Sequence, residues 1–452
     1  MDSRLPHPPS PARRQGLALG GILGRTLVHF WPDYKSWLGK VTDTRVQELC
    51  LYDRKFLLIQ GLMLFLLKLG SRRQVRFEMD SPEALENLNR LSGCSQETLA
   101  HGDTLDHFLG HVPPRALDRL RRSMVHRLIR MKALDDGRLF GHVLIVLDGT
   151  GQFYFHRRHC EHCLTKTVNG KTQYYHHVLE AKLVTPDGLA LSIGSEFIEN
   201  SDPNATKQDC EIKAFLRLTR RLKKDFPQLR MCLCLDGLYA NGTVLSICRE
   251  NHWKYFITFK EGSMPAVWKE YQTLRELSPQ NRKSHTTDAG VPQSFAWVED
   301  LQYVDDQNRR QQFHAMQCRE QNGRDTKFFA WLTNFTIRPE NVVALGNRGG
   351  RCRWKIENEG FNIQKNGGFN LEHAYGMGER QIKNYYVLLQ IAHMILQLIE
   401  CGNLLTADAK RLFGSLRNLA RRLAESLRNR LIPPEAIDPA AAQGIQIRLD
   451  SS

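Results

Sequence analysis

Two short stretches limit what this chain can fold into: VLIVLDG at 143–149 and MCLCLDG at 231–237, each an apolar run stopped by Leu-Asp-Gly. Five consecutive apolar residues closed by a turn pair read as a buried strand. Taken singly, an Asp-Gly pair marks a turn, because glycine accepts positive φ and aspartate caps its own backbone. Met twice after the same kind of run, it raises a sharper reading, in which each Asp stands at the carboxyl end of a core strand. The chain has no fixed-period repeat, so the two stretches are not copies of one unit.

The surrounding pattern gives them an order. Residues 1–20 are rich in Pro and Arg and are expected to form a disordered tail. A helical region, with a DNA-binding role expected, runs over 21–137, with amphipathic periods in 46–70, 82–92 and 114–134. From 142 to 260 strands and helices alternate: a strand at 143–147, a hairpin of 178–185 and 189–198 around Pro-Asp-Gly, a helix over 206–226, a strand at 231–235, a helix over 240–251 and a strand at 254–259. Residues 261–345 hold strand-like pieces and no long helical period, and helical pattern returns from about 347 nearly to the end. The order β-β-β-α-β-α-β, then an insertion, then helix, is what an α/β chain with a ribonuclease H-like core produces. That core covers 138–260 and 346–400, is interrupted by a β-rich insertion at 261–345, and is followed by a basic helical region at 401–452. In such a core the first and fourth strands are central neighbours, which would set Asp148 beside Asp236.

Composition narrows the partners. A chain of 452 residues suits two or three domains. Its 63 basic and 48 acidic residues leave a net charge of +15 spread along the chain, which favours a polyanion, nucleic acid first. The eleven cysteines are scattered, several in apolar surroundings (Cys232, Cys234, Cys248, Cys401), as in a reduced cytosolic protein. MDSRLPHPPSPARRQG has no apolar segment of the secretory kind. The greasy stretches 56–70 and 385–400 are too short, or too interrupted by Gln, His and Lys, to span a bilayer, so no membrane partner is expected.

Phosphodiester chemistry with two metal ions needs hard oxygen ligands converging where the ions lie about 3.5–4 Å apart, and two aspartates are too few. The segment RCRWKIENEGFNIQKNGGFN (351–370) supplies a third carboxylate. On an ideal helix Arg353, Glu357 and Phe361 share a face, while Glu359 points about 200° away from Glu357. A surface ion pair is the plain alternative for Arg353 and Glu357.

With these residues in view the chain resembles the DDE transposases of bacterial insertion sequences, in the cut-and-paste branch whose ribonuclease H-like core carries a β-rich insertion. The family signature Y-x2-R-x3-E-x6-K, with RW-x-IE at its middle, is matched by Arg353-Trp354-Lys355-Ile356-Glu357. Two positions depart from it: Gly350 stands where the family has Tyr, and Gln364 where it has Lys, with Lys365 one residue on. The resemblance implies that Asp148, Asp236 and Glu357 bind two Mg2+ (or Mn2+) ions. It implies that Arg353, Lys365 and Lys260 contact DNA phosphates. It further implies cutting at terminal inverted repeats and joining of the 3′ ends to target double-stranded DNA by a homodimer on paired ends, in the bacterial cytoplasm at the nucleoid. The alternatives are a metal-dependent DNA nuclease without strand transfer and an inactive DNA-binding descendant. Trp268 and Trp297, in the insertion, are candidates to receive an unstacked base or are core residues. Segments 115–134 and 405–431 are candidate DNA tracks, the latter equally a solvated helix or a partner helix.

One cluster lies outside that scheme. HRRHCEHC (156–163) offers His159, Cys160, His162 and Cys163 as a zinc set with Cys-x2-Cys spacing. No second Cys-x2-Cys exists, although His176 and His177 lie across an expected hairpin, and a basic turn facing DNA is the favoured reading.

Overall fold

The computed structural model describes residues 18–200, 208–323, 325–442 and 446–449. It is an α/β structure with a mixed, open sheet and many helices, divided into two compact units. Most of the tail expected over 1–20 lies outside the described residues, but helix Leu19–Phe30 already begins within that range.

One unit contains the residues up to Ala133, Gly151–His176, and those from Phe361 on. At its centre is helix Glu379–Cys401, buried almost all round and packed by helices Leu19–Phe30, Arg54–Leu66, Gly102–His111 and Pro114–Arg130. Several of its polar side chains hydrogen-bond inside the bundle. Asn384 donates to the carbonyls of Leu109 and Val112 at 2.8 and 2.7 Å, and Gln364 donates to Gln390 at 2.8 Å and lies 2.9 Å from His393 Nδ1. Among the described residues no helix is long and apolar enough to cross a membrane. The basic helix Pro114–Arg130 buries Leu117, Leu120, Met124 and Leu128 at helical spacing, and even Arg121 is buried, paired with Asp118. Arg115, Arg119 and Arg130 remain exposed.

The C-terminal helix Leu416–Asn429 joins the same unit as the N-terminal helices, packing on Pro82–Ser92 and Leu19–Phe30. The link is polar and specific. Buried Asn87 donates to the carbonyls of Leu427 and Arg430 at 2.8 and 2.7 Å and accepts from the Ile432 N–H at 2.7 Å. It thereby satisfies carbonyls that every helix end leaves without intrahelical partners.

The other unit, Leu134–Thr150 and His177–Gly360, is built on the sheet. Its strands are β1 (Val143–Phe155), β2 (Leu164–Val168), β3 (Lys171–Val184), β4 (Ala190–Ile198), β5 (Met231–Leu235), β6 (Lys254–Thr258), β7 (Arg282–Thr286), β8 (Pro292–Val304), β9 (Arg310–Asn322) and β10 (Asp325–Thr333). The order is β4–β3–β1–β5–β6–β10–β9–β8–β7, with β1, β5 and β6 parallel neighbours. β2, Gly151–Phe155 of β1 and the start of β3 fall in the first unit. All five residues of β5 are buried, as its unbroken apolar run requires. Helix Glu211–Asp225 buries Ala214, Phe215, Leu218 and Leu222 and packs on β4.

Three expectations change. The helix expected over 206–226 begins at Glu211 (residues 206 and 207 lie outside the described residues). The insertion opens with helix Pro265–Glu276, whose buried Val267 and Tyr271 stand four apart, too few apolar positions to show as a long period. The segment expected as one regular helix around Glu357 is a chain of short turns: a π-turn at Leu345–Gly349, a 3₁₀ turn at Gly350–Trp354, a π-turn at Ile356–Asn362 and an α-turn at Ile363–Asn366. Glycines set this course, since Gly349 lies against the Phe256 ring and Gly350 against the Trp331 indole, where a Cβ would overlap. The Tyr of the transposase signature therefore has no room at 350.

Asn87→Ala is expected to cost about 1–3 kcal/mol by stranding buried backbone groups. A lower urea midpoint and faster proteolytic cleavage within 405–431 would register it; an unchanged C-terminal digestion pattern would show that the apolar face alone holds this helix.

Candidate active site

The register of β1 on β5 builds the site. Val143, Leu144, Ile145 and Val146 pair with Met231, Cys232, Leu233 and Cys234, each pair 88 residues apart, and Asp148 and Asp236 keep the same separation. The two acids thus occupy matching positions just beyond the paired stretch. They differ in local structure. β5 ends at Leu235, and Asp236 caps the following 3₁₀ turn by accepting from the Leu238 N–H at 2.8 Å. β1 does not end at Leu-Asp-Gly but continues to Phe155, so Asp148 lies within a strand whose partner has already turned away. The first Asp-Gly pair is therefore not a turn.

Asp148 is half-buried, and its environment is unbalanced. Burial pushes its carboxyl up to about 6; Arg353 and the Gly149 N–H oppose that, while Asp236 and Glu211 add to it. Arg353 Nη1 lies 3.4 Å from Asp148 Oδ2, and the Gly149 N–H donates to Oδ1 at 2.9 Å. Glu211, at the start of its helix, is the acid that sequence reasoning missed. Its Oε1 lies 3.1 Å from His177 Nε2 on β3, and it accepts from the buried Tyr239 hydroxyl at 3.4 Å. Burial and the charges of Glu211, Asp236 and Asp148 all push the Tyr239 hydroxyl upward, so it stays a neutral donor. A Cβ on Gly149 would overlap both the Glu211 carboxylate and the His177 ring. Nothing in the sequence around Glu211 signals this role, because packing of its helix on β4 brings it against Gly149 within β1.

The third expected acid stands differently. The Glu357 side chain is exposed and makes no hydrogen bond or ion pair among the described residues, and Phe361, four residues on, is buried. The stretch from Glu357 to Phe361 is a π-turn, not part of the regular α-helix expected. Glu359 is held by Lys355 at 3.1 Å. Arg351 anchors the segment by pairing with buried Glu320 of β9 and stacking on Phe329, 4.8 Å from its ring centre. Arg353 stacks 4.4 Å over the ring of Trp354, which is 51% exposed.

Of the other expected contacts, Lys260 is exposed just beyond β6. Lys365 belongs to the first unit, where it pairs with Glu372 at 3.2 Å, one residue before the helical turn ends at Asn366. Trp297 is fully buried and is a core residue. Trp268 is half-buried in an aromatic group with Phe259, Tyr271 and Phe328. His162 is not in the compact His/Cys cluster, its place being taken by His176.

Chemically, the carboxylates near Asp148 are hard oxygen donors with one guanidinium among them, a set that suits Mg2+ or Mn2+ rather than a soft metal. They are not gathered at one point as the His/Cys cluster is. No model of a known protein family matches the chain, and no curated protein matches it.

The pH dependence has a definite sign. An acid whose folded pKa lies above its unfolded value of about 3.9 holds its proton more tightly when folded. The metal-free chain should therefore lose stability as pH rises from about 4 to 6, and cation binding at Asp148 should weaken as pH falls through about 6. Mn2+ binding followed by electron paramagnetic resonance should show that midpoint, moved down in Glu211→Gln and up in Arg353→Ala. Identical midpoints in all three proteins would remove Asp148 from the binding group.

Proposed function

We propose that the chain is a DNA transposase of the DDE kind, cutting at the terminal inverted repeats of its own element and joining the freed 3′ ends to target DNA. The observation that carries this reading is the parallel pairing of β1 with β5, which sets Asp148 and Asp236 at matching positions, with Arg353 of the RW-x-IE segment bonded to Asp148. The strand order β4–β3–β1–β5–β6, with β5 and β6 each following a helix, supports a ribonuclease H-like core for this unit.

Asp148, Asp236 and Glu357 would hold the metal ions, and a bound pair of Mg2+ or Mn2+ would acidify the attacking water or 3′-hydroxyl and neutralise the leaving 3′-oxygen. The remaining work belongs to the chain's own cations and donors. Arg353, fixed by Asp148 and by the Trp354 ring, offers its guanidinium to a phosphate beside the acids. Lys260 adds an exposed positive charge past the end of β6. Trp354, exposed and next to Arg353, offers a stacking face for an unpaired base, a task that buried Trp297 cannot perform. Glu211 and His177 position the acids through charge and packing, and Tyr239 holds Glu211. The surplus of 63 basic over 48 acidic residues favours retention on the long polyanion.

Cleavage of a labelled element-end duplex in Mg2+ or Mn2+ tests the reading. Asp148→Ala, Asp236→Ala and Glu357→Ala should abolish cutting without abolishing DNA binding, and Glu359→Ala should stay active. Arg353→Ala and Glu211→Gln, acting on Asp148 from outside, should each lose about 10–100-fold. Cutting without joining of pre-cut ends would identify a nuclease; binding without any cutting in the unaltered chain would identify an inactive DNA-binding protein.

A further inference from the structure

We infer that His159, Cys160, Cys163 and His176 form a structural zinc site. Their donor atoms all lie within 4.8 Å of one another. Cys160 Sγ is 3.4 Å from Cys163 Sγ and 3.4 Å from His176 Nε2; Cys163 Sγ is 3.7 Å and His159 Nε2 3.0 Å from that same nitrogen. A tetrahedron built on Zn–S of about 2.3 Å and Zn–N of about 2.0–2.1 Å has edges of about 3.8, 3.6 and 3.3 Å for S–S, S–N and N–N pairs. Each of these four separations lies within about 0.4 Å of the corresponding edge.

A disulfide does not fit these atoms. The sulfurs are too far apart for a disulfide, whose bond is about 2.05 Å. Two imidazole Nε2 atoms and two thiol sulfurs instead converge on one point, each able to present a lone pair to a single ion. Two thiolates and two imidazoles are the donor set that zinc selects. Phe153 and Phe155 wall the cluster, Phe155 lying 4.3 Å from the His159 ring centre and Phe153 5.3 Å from that of His176.

Spacing alone selects His162; the fold replaces it. His162 lies 3.6 Å from Glu379 and 3.7 Å from Glu161, whereas His176 is delivered by β3, across the hairpin from Cys163. The second ligand group is thus one histidine brought back by strand pairing, invisible to a search for a second Cys-x2-Cys. The ion would tie the 156–163 loop to β3 and brace a hairpin whose Arg157, Arg158, Lys166 and Lys171 are exposed. The inference is independent of the proposed transposase activity.

The test uses the full chain, purified after expression with zinc, with metal content measured by mass spectrometry after loosely held ions are removed. About one zinc per chain is expected, kept in His162→Ala and reduced to less than about a tenth in Cys163→Ser and His176→Ala. Because those two substitutions also disturb buried packing, cobalt-loaded unaltered chain is examined as well; tetrahedral d–d bands with a thiolate charge-transfer band are expected. Absence of metal and of these bands, a Cys160–Cys163 disulfide in their place, or zinc lost in His162→Ala but kept in His176→Ala would overturn the assignment.

Discussion

The parallel register of β1 on β5 is the constraint on which the rest of the site depends. The pairing of Val143–Val146 with Met231–Cys234 fixes the separation of 88 residues, at which both Leu-Asp-Gly stretches stand. The same register puts two carboxylates at neighbouring strand positions, and the helix packed on β4 adds Glu211. Like charges in half-buried surroundings oppose one another's ionisation, and the structure answers with a single guanidinium, Arg353. Arg353 is useful only if its segment is fixed. Arg351 pinned to Glu320, Gly349 against Phe256 and Gly350 against Trp331 provide that fixation. Strands β9 and β10 thus have a structural task in this unit: they carry Glu320, Phe329 and Trp331, which hold the segment that neutralises Asp148.

The core strands are legible in the sequence because a five-residue apolar run between turn signals has few competing conformations. The pattern places β5 to the residue, and the hairpin of β3 and β4 to within one residue at their shared turn. What sequence cannot show are features made by tertiary packing. β1 runs through Asp-Gly because strand pairing with β3 outweighs the local turn preference of that dipeptide. The 345–366 segment departs from a regular helix because glycines must approach Trp331 and Phe256 closely, a demand set by residues on other strands. Reasoning from 3.6-residue periodicity therefore treats as one regular helix a segment that is a series of short turns. Glu211 escapes sequence reasoning as a site member because its helix is distant in sequence from β1, and His176 because strand pairing, not motif spacing, brings it to the cysteines. The nearest sequence signal is the His176-His177 pair across an expected hairpin, and the structure divides it, His176 going to the cysteines and His177 to Glu211.

That division follows from strand geometry. Successive residues of a strand point to opposite faces, so His176 and His177 of β3 cannot serve the same cluster. One imidazole joins two sulfurs and a second imidazole; the other joins a set of carboxylates. Donor softness then keeps the two sets chemically distinct. Thiolate and imidazole favour zinc, whereas carboxylates without sulfur favour Mg2+ or Mn2+. A chain that needed to hold a structural ion permanently while exchanging catalytic ions with solvent would have to separate the two by ligand type, because affinity order alone would let zinc take both sites. The adjacent histidines of β3 divide between these two donor sets, His176 beside the sulfurs and His177 beside Glu211.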